Sequence, residues 1–138
     1  MRDHSNARQR HRFGAKSFLC KRNDERLLAT LAERNLTVFA RVDHAAGAAS
    51  VGLSLRTTEL VIFGNPKGGT PLMQDQQSAG IDLPLKALGW EDPERNVWLS
   101  YNDPTWIAQR HSLGARSNSA MTVMADMLRR IAHEVAGS

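Results

Sequence analysis

The sequence predicts an α+β domain of two layers, an antiparallel sheet with its helices on one face. Its predicted elements follow one another in the order β-α-β-β-β-β-α, which is typical of this class. Several strand pairs lie too close together in sequence for parallel crossovers, so a doubly wound parallel sheet is not expected. The chain has 138 residues, of which 41% are hydrophobic. That length and composition suit one hydrophobic core.

The first half of the domain is predicted from three segments. Asp24–Arg34 has leucines on one helical face and acidic residues at its start, which indicates a helix. Leu36–Val42 is rich in β-branched and aromatic residues and alternates, which indicates a strand. Glu59–Phe63 is a continuous apolar run and predicts a central strand buried on both faces.

The second half is predicted to begin with a hairpin. Lys86–Glu91 and Asn96–Tyr101 are two short strands around a turn rich in Asp, Pro and Asn. Asp103 followed by Pro104 is a typical helix start, an N-cap followed by proline at the first helical position. The last helix is predicted from Ser117 or Ser119 onward, because an apolar stripe runs along one face.

The positive charge of the chain is confined to its start. Residues 1–26 hold eight Lys or Arg against three acidic residues, whereas the remainder holds ten basic and eleven acidic residues. We therefore expect residues 1–16 to be a basic, disordered leader and residues 17–138 to be a single domain. A basic arm can bind nucleic acid through phosphates, and an expression leader or an upstream start site explains the same charge. The nearly neutral body does not favour a nucleic-acid partner.

Several protein classes are not favoured. No apolar run reaches about 18 residues, so no transmembrane helix and no membrane partner are predicted. Cys20 is the single cysteine, which rules out an internal disulfide and suits the reducing cytoplasm. The five histidines show no metal-binding spacing, and no cofactor motif is present, so neither a metal nor a cofactor is expected.

The segment Phe63–Met73 is the most distinctive stretch of the sequence. It contains three glycines and two prolines directly after an apolar strand, which predicts a loop with a closely specified path. Such loops often carry binding sites. The Walker phosphate-loop pattern is not met, because Lys67 precedes the glycine pair. A backbone nest for an anion and a structural strand-to-helix connection remain as interpretations.

Polar side chains at strand ends or beside this loop are the candidates for a ligand site, because pockets form at such places. The predicted ligand-binding residues are Asp43, His44, Asn65, Lys86 and Asn102. Trp90 and Trp98 are possible pocket walls. Lys86 has two interpretations, a buried and paired lysine or an edge-strand lysine that discourages aggregation.

An acid–base pair is the enzymatic alternative. It would join His44 to Asp43 or Asp103, provided that the imidazole lies within hydrogen-bond reach of the carboxylate. His111, at a predicted helix C-terminus, is explained by the helix dipole alone.

Six strings in the same order resemble the bacterial domain of unknown function 302 family. They are Leu36–Ala46, Thr58–Lys67, Gly69–Met73, Gly80–Leu88, Trp90–Asp92 and Val97–Pro104. The resemblance covers roughly residues 24–136 and implies a β-α-β(4)-α fold, similar to TATA-binding-protein-like domains, that commonly forms dimers. Arg12–Arg22 departs from the family, whose first strand is usually followed by Ser-x-x-Glu-Thr.

The family has no assigned biochemical function, so the functional prediction depends on the residues. We expect a small-ligand-binding or stress-related module without known catalysis, with the ligand held between the sheet and the last helix. The alternatives are an enzyme with a His–carboxylate pair and nucleic-acid binding through the basic arm. A homodimer is also expected, because Phe39 and Trp98 make their strands apolar on the side away from the helices.

Overall fold

The computed structural model describes residues 8–12 and 20–136. These ranges contain five strands and five α-helices, and a 3-10 helix, Gln77–Asp82, follows α3. The strands are β1 (Arg8–Arg12), β2 (Thr37–Asp43), β3 (Thr58–Gly64), β4 (Leu85–Glu91) and β5 (Val97–Asn102). The helices are α1 (Cys20–Glu33), α2 (His44–Ser50), α3 (Pro66–Asp75), α4 (Pro104–Arg110) and α5 (Ala115–Ala136).

The five strands form one antiparallel sheet in the order β1-β5-β4-β3-β2. The predicted hairpin is β4–β5, with Trp90 opposite Trp98. In β2 the register shifts at Phe39, because Val38 pairs with Phe63 and Ala40 pairs with Ile62. Phe39 is therefore an extra residue of the kind found in a β-bulge.

Helices α1 and α5 cover one face of the sheet, where the core lies. Alternate residues of the three central strands are buried on this side, as the period of a strand requires. From the sheet, the core takes Val61, Phe63, Leu85, Ala87, Val97, Leu99 and Tyr101. From α1 and α5, it takes Leu27, Leu31, Met124, Leu128, Ile131, Ala132 and Val135. The predicted α+β class with helices on one face is confirmed.

The opposite side of the sheet, here called the second face, is lined by Leu60, Ile62, Leu88, Trp90 and Trp98. All five side chains are only partly buried, so the prediction that Glu59–Phe63 is buried on both faces is wrong for this side. The two indoles stack with centroids 6.2 Å apart. Lys86, opposite Ile62, and Ser100, opposite Leu88, belong to the same face, which is otherwise largely apolar.

The predicted loop Phe63–Met73 is largely a helix, which corrects the interpretation of its glycines and prolines. Asn65 has an extended backbone, and its Oδ1 accepts a hydrogen bond from the Lys67 amide at 2.9 Å. Pro66 occupies the first helical position, which suits its fixed φ. Neither Gly68 nor Gly69 has a positive φ. The Asn-Pro pair is thus a helix start, and α3 accommodates Pro71 in its interior.

The segment predicted to be a disordered leader contains a strand. Arg8–Arg12 pairs with β5, from Arg8 opposite Asn102 to Arg12 opposite Trp98. Ladder hydrogen bonds use only the backbone, so a basic sequence without apolar alternation can still complete a sheet edge. The rest of the predicted leader, residues 1–7 and 13–16, lies outside the described residues. The domain boundary after residue 16 stays a prediction.

Replacing Phe63 by alanine should cost about 3–5 kcal/mol of the free energy of unfolding, because Phe63 is fully buried and a cavity would remain. Phe39→Ala is the matched control. Phe39 is 53% exposed, so its loss should cost less than about 1 kcal/mol. Urea denaturation of both variants measures the difference. Equal costs would contradict the assignment of Phe63 to the core.

Candidate functional site

A cavity of about 280 Å³ lies between the end of β3, the first turns of α3 and the middle of α5. Its walls also include β2 and the segment that leads into β4, where the Leu83–Pro84 peptide bond is cis. The lining residues are Leu36, Phe39, Gly64, Asn65, Pro66, Gly68, Gly69, Thr70, Met73, Leu83, Pro84, Leu85, Val123, Met124 and Met127.

The lining is almost entirely apolar and contains no charged side chain. Met73 from α3 faces the same space as Met124 and Met127 from α5. Methionine side chains are flexible and polarisable, so such walls adapt to ligands of different shape. Two further lining residues are large, apolar and exposed to solvent. The exposed fraction is 53% for Phe39 and 66% for Val123. The cavity therefore opens to solvent past apolar groups that a ligand could cover.

The carboxylate of Asp75 holds α5 in place over the cavity. Asp75 ends α3, and its Oδ2 accepts hydrogen bonds from the Gly114 amide at 2.9 Å and the Ser117 hydroxyl at 2.7 Å. These bonds, that of Ser117 first, hold the pKa of the Asp75 carboxyl below its usual value. Ser117 was predicted as a helix cap, but its hydroxyl donates to a neighbouring helix instead.

One of the five predicted ligand residues lines the cavity. It is Asn65, whose side chain is engaged as the N-cap of α3. Lys86 does not line the cavity, because it pairs with Ile62 and so lies on the second face, and its Nζ donates to the carbonyl oxygen of Pro84 at 3.0 Å. Lys86 is not an edge-strand lysine, because β4 lies between β3 and β5. The interpretation of Lys86 as an edge-strand residue is therefore wrong. Its side chain is half-buried and hydrogen-bonded, as the alternative interpretation predicted.

The other three predicted residues lie elsewhere. Asp43 caps α2 through its Oδ1, which accepts from the Ala46 amide at 2.9 Å, and His44 is the exposed first residue of that helix. Asn102 ends β5 opposite Arg8. Asp103 caps α4, as predicted, by accepting from the Thr105 amide at 2.9 Å. The five residues thus do not converge on one site.

The tryptophans do not line the cavity either. Trp90 and Trp98 lie on the second face, where Trp90 Nε1 donates to Ser100 Oγ and Trp98 Nε1 donates to Asp92 Oδ2, both at 2.8 Å. The bond from Trp98 is the largest cause that lowers the pKa of the Asp92 carboxyl. The two indoles therefore anchor the β4–β5 hairpin and its turn.

A second polar cluster, which we call the 78–82–111 relay, consists of Ser78, Asp82 and His111. His111 Nε2 lies 2.5 Å from Asp82 Oδ2, and His111 Nδ1 lies 3.0 Å from Ser78 Oγ. Arg110 Nη1 also contacts both oxygens of Asp82, at 3.0 and 3.2 Å. Sequence reasoning explained His111 by the helix dipole alone. It missed this cluster because its partners lie about 30 residues away, with no local motif.

Residues 8–12 and 20–136 hold no group of three His, Cys, Asp or Glu side chains placed to bind a metal ion. Among those residues, no helix combines the length and the hydropathy that crossing a bilayer requires.

The profile of the family described as domain of unknown function DUF302 matches residues 21–135. The chain belongs to the DUF302 family. Its fold is also that of a crystal structure of an uncharacterised conserved DUF302 protein from Bacillus stearothermophilus, with a TM-score of 0.81. The alignment covers 93% of this chain and 97% of that chain at 14% identity, so this likeness concerns the fold alone.

Among curated proteins, this DUF302 chain is similar to two Brucella proteins named fluoride-specific ion channel FluC 1. It is 55% identical over 100 residues, 72% of its length, to the proteins of Brucella suis biovar 1 and Brucella abortus biovar 1. The chain spans only 39% and 37% of the length of these relatives.

Asp75→Asn should flatten the acid limb of the stability curve. Because the folded pKa of Asp75 is lowered, the unfolded state binds more protons as the pH falls below about 4. The stabilisation is therefore present above that pH and is lost as the pH falls through the folded pKa. Urea denaturation between pH 3 and 7 should show a smaller loss on acidification for Asp75→Asn than for the wild type.

Asp126→Asn is the control, since Asp126 pairs with Arg129 within α5 and does not join two elements. It should keep the wild-type slope. The role assigned to Asp75 would be refuted if Asp75→Asn kept that slope too.

Proposed function

We propose that this DUF302 domain binds a small, mainly apolar ligand in the cavity between α3 and α5. The carrying observation is the open cavity of about 280 Å³ with apolar walls and no charged lining residue. Its size is close to the lower end of small-molecule sites. The ligand would lie between the sheet and the last helix, the place expected from the sequence.

Removal of apolar surface from water would supply most of the binding free energy. Phe39 and Val123 expose large apolar areas beside the cavity, and their burial by a ligand is worth about 25 cal/mol per Å². The three methionines can follow the shape of an alkyl chain without a fixed geometry. These features support an aliphatic ligand rather than a polar metabolite.

A positive charge lies next to the cavity. Lys67 is exposed in the first turn of α3, between the lining residues Pro66 and Gly68. An amphipathic ligand with an anionic head would place its alkyl chain in the cavity and its head toward this lysine.

Met127→Gln should weaken binding of decanol and decanoate by about 5- to 100-fold, because an amide would be buried against the ligand without a guaranteed partner. Displacement of a fluorescent apolar probe from the purified protein measures both affinities. Met121→Gln is the matched control, since Met121 lies on the same helix but does not line the cavity.

The two ligands separate the parts of the proposal. Tighter binding of decanoate than of decanol would support the anionic head. Equal affinities would limit the proposal to an apolar ligand, and no saturable displacement by either would refute it.

A homodimer through the second face is also proposed. Leu60, Ile62 and Leu88 form a partly exposed apolar surface there, which a two-fold partner would cover. The Ile62→Lys variant should then be a monomer at micromolar concentration, where the wild type is a dimer. Light scattering measures the molecular mass of both. A wild-type monomer of about 15 kDa across that range would refute the dimer.

Cys20 as the single cysteine supports a cytoplasmic location.

A second candidate function rests on the Brucella relatives. Their names concern fluoride channels, and the 55% identity supports a role of this domain as an accessory unit that responds to fluoride. The named activity belongs to proteins more than twice the matched length. Thermal unfolding in sodium fluoride and in sodium chloride at equal ionic strength tests the idea, and identical curves would argue against it.

A further inference from the structure

The 78–82–111 relay has no part in the cavity, and its geometry is that of an activated nucleophile. We propose that Ser78, His111 and Asp82 form a separate site in which Ser78 accepts the acyl group of small carboxylic esters. The order of contacts is hydroxyl, imidazole, carboxylate, with separations of 3.0 Å and 2.5 Å. The distance between Ser78 and His111 lies within the reach that proton transfer from a nucleophile to a base requires, and Asp82 contacts the other ring nitrogen of that base.

The hydrogen-bond pattern fixes the tautomer of His111. An ionised carboxylate only accepts hydrogen bonds, so Asp82 Oδ2 requires the proton on His111 Nε2. Neutral His111 then has its lone pair on Nδ1, and Nδ1 accepts from the Ser78 hydroxyl. The imidazole is therefore oriented to take the serine proton, while Asp82 stabilises the imidazolium that forms.

The exposure of the three side chains suits these roles. Ser78 is exposed and open to a substrate from solvent, whereas the side chains of His111 and Asp82 are only 7% and 11% exposed. Shielding from water strengthens the His111–Asp82 interaction. Arg110 holds Asp82 from the other side and packs over the Trp106 ring at 5.5 Å.

The proposed reaction has two steps. Ser78 Oγ attacks the ester carbonyl carbon as its proton moves to His111 Nδ1, and the carbon–oxygen bond to the alcohol breaks as that proton passes to the leaving alkoxide. Water then attacks the acyl-serine and gives its proton to Nδ1. The acid leaves, and the proton returns to Ser78 Oγ, so no further reactant is needed.

Covalent labelling of the full-length protein tests the site directly. A fluorophosphonate probe forms a phosphorus–oxygen bond to an activated serine and releases fluoride, and mass spectrometry locates the adduct. We expect an adduct on Ser78, a loss of about 100-fold in labelling rate in His111→Asn, and no loss in Ser54→Ala, an exposed serine elsewhere. Hydrolysis of p-nitrophenyl acetate should fall by the same factor in Ser78→Ala.

A thiol variant provides an independent readout. Ser78→Cys should react with iodoacetamide faster than Ser54→Cys, and His111→Asn should remove that advantage, with Cys20 distinguished by its own peptide. Circular dichroism melts confirm that each variant is folded. An unlabelled Ser78, unchanged hydrolysis in Ser78→Ala, or equal alkylation of the two cysteines would each overturn the proposal. If the three residues only stabilised the fold, the rates of probe labelling, ester hydrolysis and alkylation would not depend on Ser78 or His111.

Discussion

The carboxylate of Asp75 joins two helices that the sheet alone would not bring together. It lies at the end of α3 and takes two hydrogen bonds from the start of α5, at Gly114 and Ser117. Helix α5 then runs for 22 residues across the sheet, so a small change in the position of its first turn would be carried to Met124 and Met127. The contact ties the end of α3 to the start of α5, and the cavity lies between these two helices.

Much of the fold could be predicted from the sequence because local signals and the hydrophobic period agree. The hairpin β4–β5, the start of α4 at Asp103–Pro104 and the apolar stripe of α5 all follow from spacing and capping chemistry. The Asn65–Pro66 pair is the same type of helix start. It was interpreted as part of a loop because two glycines follow it. Strand β1 gave no signal, since its pairing with β5 uses only backbone groups.

The candidate site was less accessible to sequence reasoning, because its parts are joined by tertiary contacts. Asn65, chosen from its position after a strand, lines the cavity. Lys86, chosen from its place in an apolar run, lies on the second face instead. The methionines of α3 and α5 resembled ordinary core residues. Asp43 and Asp103 are capping residues, and a capping aspartate has the same sequence signature as a functional one at a strand end. The Ser78–His111 and Asp82–His111 contacts join segments about 30 residues apart, a distance at which one sequence holds no information about proximity.

Because of the register shift in β2, Phe39 can line the cavity without being needed for strand pairing. Val38 and Ala40 pair with Phe63 and Ile62, which are consecutive in β3, so the ladder would continue without the residue between them. Phe39 is thus supplementary to the sheet and lies at the cavity wall. A different side chain at this position would therefore change the shape of the cavity, while the strand pairing that stabilises the domain would stay the same.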